Sequence, residues 1–418
     1  MTKKVATRTV AGLFTLAGLM AFYRWYQGFV VDPDLGTVDS AGWIAAIEMT
    51  PSGSKAVLIK PDGTKVDNPG YRDGVNDKDV AWSPDGNRLF FSSDREKGVF
   101  QIARWNPSKG NVEVRSVGSR SKARLNFSPP GYVSTPTTGL IVAGGFVLEF
   151  DPRGGTTRQV LPPTTGVVAT GEEGGSQGQF DAYYRNLGQS FREAKYGKDR
   201  KGVFAVIRRD LGEALIYQPL ELIEDAKGNV SLPRPQGIVA ADSIEFDVNS
   251  DGLLAYTVRG FRFFDPANAP EAQKRNGELV PPYRNALFTL DVNAQSVTPM
   301  PVFVSPDDEI AAGQVVFNPT GGTLLFQSGR VNKLSQFEVA GMLSVVVDGE
   351  GLKSAQQLTR GLVSDFSWSP DGNRIVFVMS KDGQRGLYTI KPDGAALEPL
   401  GSLKGDFDDP KFSPAKPK

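Results

Sequence analysis

The chain has 418 residues, 39% hydrophobic and 22% charged, and its 47 Lys plus Arg are balanced by 47 Asp plus Glu; it can bury a large core and has no overall basic field to hold nucleic acid. Cysteine and histidine are both absent, which excludes disulfides, thiolate nucleophiles, Cys/His zinc sites, haem held by histidine, a Ser-His-Asp triad and a Cys-linked lipoprotein anchor. The 47 Gly and 29 Pro are an excess of turn formers that suits many short strands, so the chain reads as all-β.

Lys3, Lys4 and Arg8 precede an apolar run from Val10 to Tyr23. That core is long enough for a signal peptide, but Leu19 stands at the −3 position before Ala21 and no Ala-x-Ala follows, so cleavage is disfavoured. Continued through "RWYQGFVV" to Val31, a helix over 10–31 would reach about 33 Å and cross a bilayer. Arg24 can then snorkel, with Trp25 and Tyr26 at interface depth. Basic residues stand before the span, and Asp32, Asp34, Asp39 and Glu48 follow it without Lys or Arg. The positive-inside rule therefore predicts residues 1–9 as a cytoplasmic tail, 10–31 as a signal-anchor helix, 32–41 as a linker and 42–418 as a domain outside a bacterial inner membrane. A cleaved signal and a buried helix are the competing readings.

From Gly42, "GWIAAIEMTPSGSKAVLIKPDGTKV" supplies later strands of a sheet without a first one. "VAWSPDGNRLFFS" (Val80–Ser92) then has a near twin in "FSWSPDGNRIVFV" (Phe366–Val378). A catalytic motif seldom needs a second copy, whereas a unit that stacks on copies of itself does. Asp371-Gly372 and Asp393-Gly394 suit tight reversals, Pro370 ends a strand, and Ile375, Phe377, Val376 and Val378 load both faces of the next. Weaker copies put Phe127, Val248 and Phe317 where the Trp stands, and "DDPKFSP" puts Phe412 there before the chain stops. That fragment has a first strand and no second, so it is expected to complete the sheet begun near Trp43 and close a ring. The interval between Phe127 and Val248 leaves room for an unseen unit, with strands in "KGVFAVIRRDLGEALIYQPLELI" from Lys201, which makes seven units. Six follows if that region is an insertion.

These residues resemble the TolB-type β-propeller repeat, whose hallmark is Leu-Thr, a spacer, then Trp-Ser-Pro-Asp-Gly-x-x-Ile-x-Phe. Gln356–Gly394 is similar nearly throughout and Asp79–Ser93 closely, about three more units are degenerate, and the first 40 residues and Pro162–Arg200 show no likeness. The resemblance implies a propeller that binds proteins or peptides on a face or in its channel. The motif residues build blades, so no functional residue carries over from it.

Two segments depart from the repeat, near 163–200 and near 263–285. In Gln179–Lys201, Phe180, Tyr184, Leu187 and Phe191 fall at helical spacing, with Arg185, Arg192, Lys195 and Lys198 on the remainder. This predicts a surface helix that packs on its own blade or docks a partner or lipid headgroups, with Phe180, Tyr184, Arg185, Phe191, Arg192 and Lys195 as candidate contacts. The second, "FFDPANAPEAQKRNGELVPPYRN" from Phe263, is Pro-rich and long for a blade turn. "GGSQG" (Gly174–Gly178) matches the nucleophile pattern but has no histidine base, and it reads as a loop. "DVNSDG" (Asp247–Gly252) opens like a calcium loop but has Val258 at the twelfth position, so a plain turn is expected, with an adventitious cation site as the alternative. No catalytic residue, cofactor or metal ligand is assigned. The expected function is a membrane-anchored, non-enzymatic interaction module or accessory subunit, with membrane or envelope proteins as partners. The alternative is a carboxylate-based, glycan- or peptide-directed enzyme with its site in the channel, since that chemistry needs no histidine.

Overall fold

The computed structural model describes residues 39–414 apart from 97, 117, 128–137, 165–183, 185–187, 189, 225, 227, 229, 263–273, 276–277, 280–284, 294–298, 305–309, 333–335, 348–354, 382–383 and 402–404. Among them are five four-stranded antiparallel sheets, one seven-stranded sheet and two short ribbons. The strands Asp77–Trp82, Ala123–Phe127, Ser190–Tyr196, Gln236–Val248, Ile310–Phe317, Val363–Trp368 and Asp406–Phe412 touch one another in that cyclic order, the last meeting the first. They form a central ring from which the other strands run outward, the arrangement of a β-propeller.

The count of sheets differs from the count of repeats. Gln236–Val248 is one continuous strand with two partners: its first part pairs with Glu213–Tyr217, and Ala240–Val248 pairs with Leu254–Arg262. It therefore joins two sets of strands into the seven-stranded sheet.

The duplicated motif forms the same turn twice. Asp85 accepts hydrogen bonds from the Ser83 hydroxyl at 2.5 Å and the Asn87 amide at 3.0 Å, and Ser83 Oγ accepts from the Arg88 amide at 2.9 Å. Ser369, Asp371, Asn373 and Arg374 repeat these bonds at 2.5, 3.1 and 2.9 Å. Gly86 and Gly372 hold φ of +71° and +69°, a left-handed conformation that glycine adopts without a Cβ clash. Trp82 and Trp368 are buried beside the turns, packed against Leu89 and Phe91 and against Ile375 and Phe377. The motif is a turn-and-packing device.

Ring closure occurs where the broken repeat predicts. Asp406–Phe412 pairs with Ile44–Thr50, with Ile44 opposite Phe412 and Glu48 opposite Phe407. The chain ends replace the missing hairpin turn: the Ser413 amide donates to Trp43 O at 2.8 Å, as the Ser83 amide does to Arg88 O and the Ser369 amide to Arg374 O. Ser40 Oγ completes the join, donating to Gly86 O at 2.6 Å and lying 2.7 Å from Ser413 Oγ, with both serines buried.

Of the helix expected over Gln179–Lys201, Tyr184 is helical and its carbonyl accepts the Gly188 amide at 3.3 Å, but from Ser190 onward the expectation is overturned. Ser190–Tyr196 is a strand, followed by a short 3-10 turn at Lys198–Arg200. It is the inner strand of the unit that the sequence left unseen, and Gly202–Arg209 and Gly212–Pro219 follow it. The register shifts between Phe191 and Glu193, so Phe191, Ala194 and Tyr196 all enter one core cluster. That bulge breaks the period-two alternation that would otherwise have marked a strand. The segment 10–31 lies outside the described residues, as does nearly all of 263–285 and the Gly174–Gly178 loop. Among the described residues no helix is long and apolar enough to cross a membrane.

Candidate functional site

The central ring concentrates the charged groups. Asp79, Arg124, Asp365 and Asp409 each stand three positions before the aromatic residue ending their inner strand, and each has a φ between +50° and +54°. All four lie where the register with the neighbouring strand shifts, so each is the extra residue of a β-bulge. Glu193 and Glu245 hold the same place before Tyr196 and Val248, and Gln314 before Phe317. A charged or polar residue three before the aromatic is thus a second feature of the repeat. The sequence reading missed it because the Trp-Ser-Pro-Asp-Gly turn dominated the comparison.

Side chains around the ring tie most inner strands to their neighbours. Arg124 reaches Glu193 at 3.0 Å, and Asn126 donates to Ala194 O at 3.1 Å. Lys195 meets Asp247 at 3.0 Å and donates to Phe246 O at 3.1 Å, and Asp247 accepts the Phe317 amide at 2.8 Å. Gln327 donates to Val363 O at 2.8 Å, and Ser367 Oγ accepts the Phe412 amide at 3.2 Å. Asp409 accepts the Val80 amide at 2.8 Å, and Trp82 Nε1 donates to Lys411 O at 3.0 Å. Asp247, the first residue of the calcium-like stretch, is therefore turned into the ring, while Asn249 accepts the Asp251 and Leu253 amides and shapes a plain turn.

The electrostatics divide the ring in two. Burial pushes Glu193 up, but Lys195, Arg124 and Arg192 outweigh it and hold its carboxyl down to about 2. Burial likewise pulls Lys195 down, and Asp247 and Glu193 overcome it and raise it. On the other side burial pushes Asp409 up to about 6; Lys411, 3.1 Å away, opposes this while Asp79 and Asp365 add to it. Burial also raises Asp408 against the pull of Arg385, which pairs with both Asp408 and Asp406. Lys411 keeps 38% of its side-chain exposure within this enclosure, so water reaches the ring.

The expected contact residues have different fates. Arg192 and Lys195 do not form an exposed basic face. Arg192 is buried, with Nε 2.7 Å from Glu213, Nη1 3.4 Å from Glu245 and 3.8 Å from Glu193, and it also donates to Ile244 O. An arginine desolvated by a strand is retained only with such partners. Phe191 and Tyr184 are buried against each other at 6.0 Å between rings, and Tyr184 Oη donates to Gln218 Oε1 at 2.8 Å. Phe180 and Arg185 lie outside the described residues.

The fold and the ring define a β-propeller whose inner strands carry paired charges. Among solved structures the chain is similar to TolB from Acinetobacter baumannii, at 14% identity over 90% of this chain and 67% of that one, with a TM-score of 0.46. It is also similar to hydrazine synthase from Kuenenia stuttgartiensis, at 14% identity over 92% of this chain and 48% of that one, TM-score 0.49. A third likeness is to an oligogalacturonate lyase in complex with manganese, at 12% identity over 87% and 75%, TM-score 0.35. The chain spans about half the length of the hydrazine synthase chain. No protein-family profile matches it, and no curated protein does. At these identities and scores the likenesses carry no argument about activity or partner.

Proposed function

We propose that the chain is a seven-bladed propeller, anchored outside a bacterial inner membrane by residues 10–31, that acts as a non-enzymatic interaction module or accessory subunit of a membrane or envelope complex. The seven inner strands in cyclic contact support the blade count, with Gln236–Val248 serving as the outermost strand of one blade and the innermost of the next. The observation that carries the functional reading is the use of the ring's charges: Asp409, Lys195, Asp247 and Arg124 each bind the neighbouring inner strand. Groups so engaged build a rigid scaffold on which exposed loops recognise partners. Extraction in mild detergent with crosslinking, then identification of the copurifying proteins, tests it; a chain that emerges alone under all crosslinking conditions would sink the proposal.

One observation favours the enzymatic alternative. Asp409, pushed up to about 6 by burial with Asp79 and Asp365 adding to the shift, is a carboxyl able to hold or release a proton near neutral pH. Turnover of a glycan or peptide substrate, abolished in Asp409→Asn with the fold intact, would favour this reading over the first.

A further inference from the structure

We infer that the propeller lies with its chain-closure face on the lipid headgroups. The inference rests on the anchored reading above and adds an orientation to it. Chain direction alternates within an antiparallel sheet, so turns after the first and third strands of each blade share one face, and those after the second and the links between blades share the other. The closing blade has its break between Phe412 and Ile44, after its first strand, so Asp39 and Pro414 lie on the former face.

The chain cannot pivot there freely. Ser40 is buried and held by Gly86 and Ser413, and Trp43 is tied to Ser413. From Val31, the end of the apolar stretch, to Ser40 are nine peptide steps, which reach about 30 Å fully extended. Reaching a bilayer on the opposite face means passing two outer strands, roughly 10–12 Å, and then running the length of a seven-residue strand, roughly 23 Å. That path, about 35 Å, exceeds the tether. The closure face therefore meets the membrane first.

A separate feature marks the same face. Between the third strand Gly212–Pro219 and the strand beginning at Gln236, a ribbon pairs Ile223 with Ser231 and Glu224 with Val230. Leu222, Ile223 and Val230 on it are 56%, 47% and 48% exposed. Seating these apolar side chains at the boundary of headgroups and acyl chains removes their surface from water.

The opposite face then carries the groove of about 360 Å³ lined by Arg72, Asp73, Asp94 and Arg95, and the turn at Leu211, 72% exposed.

Because the chain has no cysteine, one introduced thiol is a unique label. The full chain, reconstituted in phosphatidylethanolamine/phosphatidylglycerol liposomes with headgroup-labelled acceptor, is compared for donors at Lys109→Cys and Lys391→Cys on the closure face and at Glu96→Cys and Leu211→Cys on the other. Quenching about twofold stronger at the first pair is expected from the roughly 20 Å between faces, with Val230→Cys at least as strong. Equal quenching at all four, or the reverse order, in protein that floats with the liposomes overturns the orientation alone. Protein that does not float overturns the anchored reading, and the orientation with it.

Discussion

Asp409, on the last strand of the chain, accepts a hydrogen bond from the Val80 amide, 329 positions earlier, at 2.8 Å. This bond and the Trp82 indole on Lys411 O join the two ends of the propeller at its axis. The acceptor is a carboxylate that burial has raised to about 6, so closure and pH are coupled.

The coupling has a definite sign. Between its ordinary 3.8 and about 6 the folded chain holds a proton on Asp409 that the unfolded chain has released, so this group's contribution to stability falls as pH rises through that window and is level above it. Burial is the main cause of the shift; Asp79 and Asp365 add to it and Lys411 opposes it. Asp409→Asn removes the titration while keeping an acceptor for Val80. Thermal melts from pH 4 to 7.5 should show the wild type losing ground to Asp409→Asn up to about pH 6 and then running parallel. Parallel curves across the whole range would remove Asp409 from the pH response. Glu193 acts oppositely: held down to about 2, it contributes stability that is present above 4.5 and lost as pH falls toward 2.

Replacing Arg192 by Ala should destabilise the fold by about 3–5 kcal/mol, because Glu213, Glu193 and Glu245 would lose a shared buried cation. Arg192→Glu should yield little folded protein. Urea denaturation and soluble yield check both. An exposed basic helix face would have tolerated the charge reversal with an unchanged melt, so the experiment separates the strand from the helix reading.

Deleting Asp408–Lys418 removes most of the closing strand and the cap over Ile44. Two sheet edges are then exposed, and a marked fall in melting temperature with aggregation is expected, followed by light scattering. Phe407→Ala isolates the packing part: Phe407 is fully buried with Val57, Val376 and Leu387, and its loss should cost about 3–5 kcal/mol. A deletion that melts like the wild type would mean that this contact does not close the ring.

Two glycines with similar φ provide an internal control. Gly144 at +63° has no atom within 4 Å of an added Cβ, whereas at Gly372, +69°, the Cβ would lie 2.7 Å from both Asn318 Oδ1 and Thr320 Oγ1. Gly144→Ala should cost about 1–2 kcal/mol from backbone strain alone. Gly372→Ala should cost clearly more, since the turn of the preceding blade at Asn318–Thr320 must also shift. Equal losses by chemical denaturation would show that the contact yields freely.

The blade turns were legible in the sequence because their bonds are local: Asp85 and Asp371 each hold atoms within two residues of themselves, and Gly86 and Gly372 supply the conformation. Closure was legible too, since a first strand at Phe412 without a second and later strands at Gly42 without a first can complete only each other. The strand Ser190–Tyr196 was not. Its bulge at Arg192 broke the alternation of Phe191, Ala194 and Tyr196 while Phe191 continued the helical spacing of Phe180, Tyr184 and Leu187, and only the neighbouring strand, by fixing the register, decided the conformation. The fate of Arg192 and Lys195 was likewise tertiary. A basic residue reads as a solvent-facing charge until its partners are known, and Glu213, Glu245 and Asp247 arrive from positions 21 to 53 residues further along. Short-range hydrogen bonds and chain connectivity thus determined the turns, the repeat and the join, whereas bulge placement and charge pairing depended on which strands the fold set side by side.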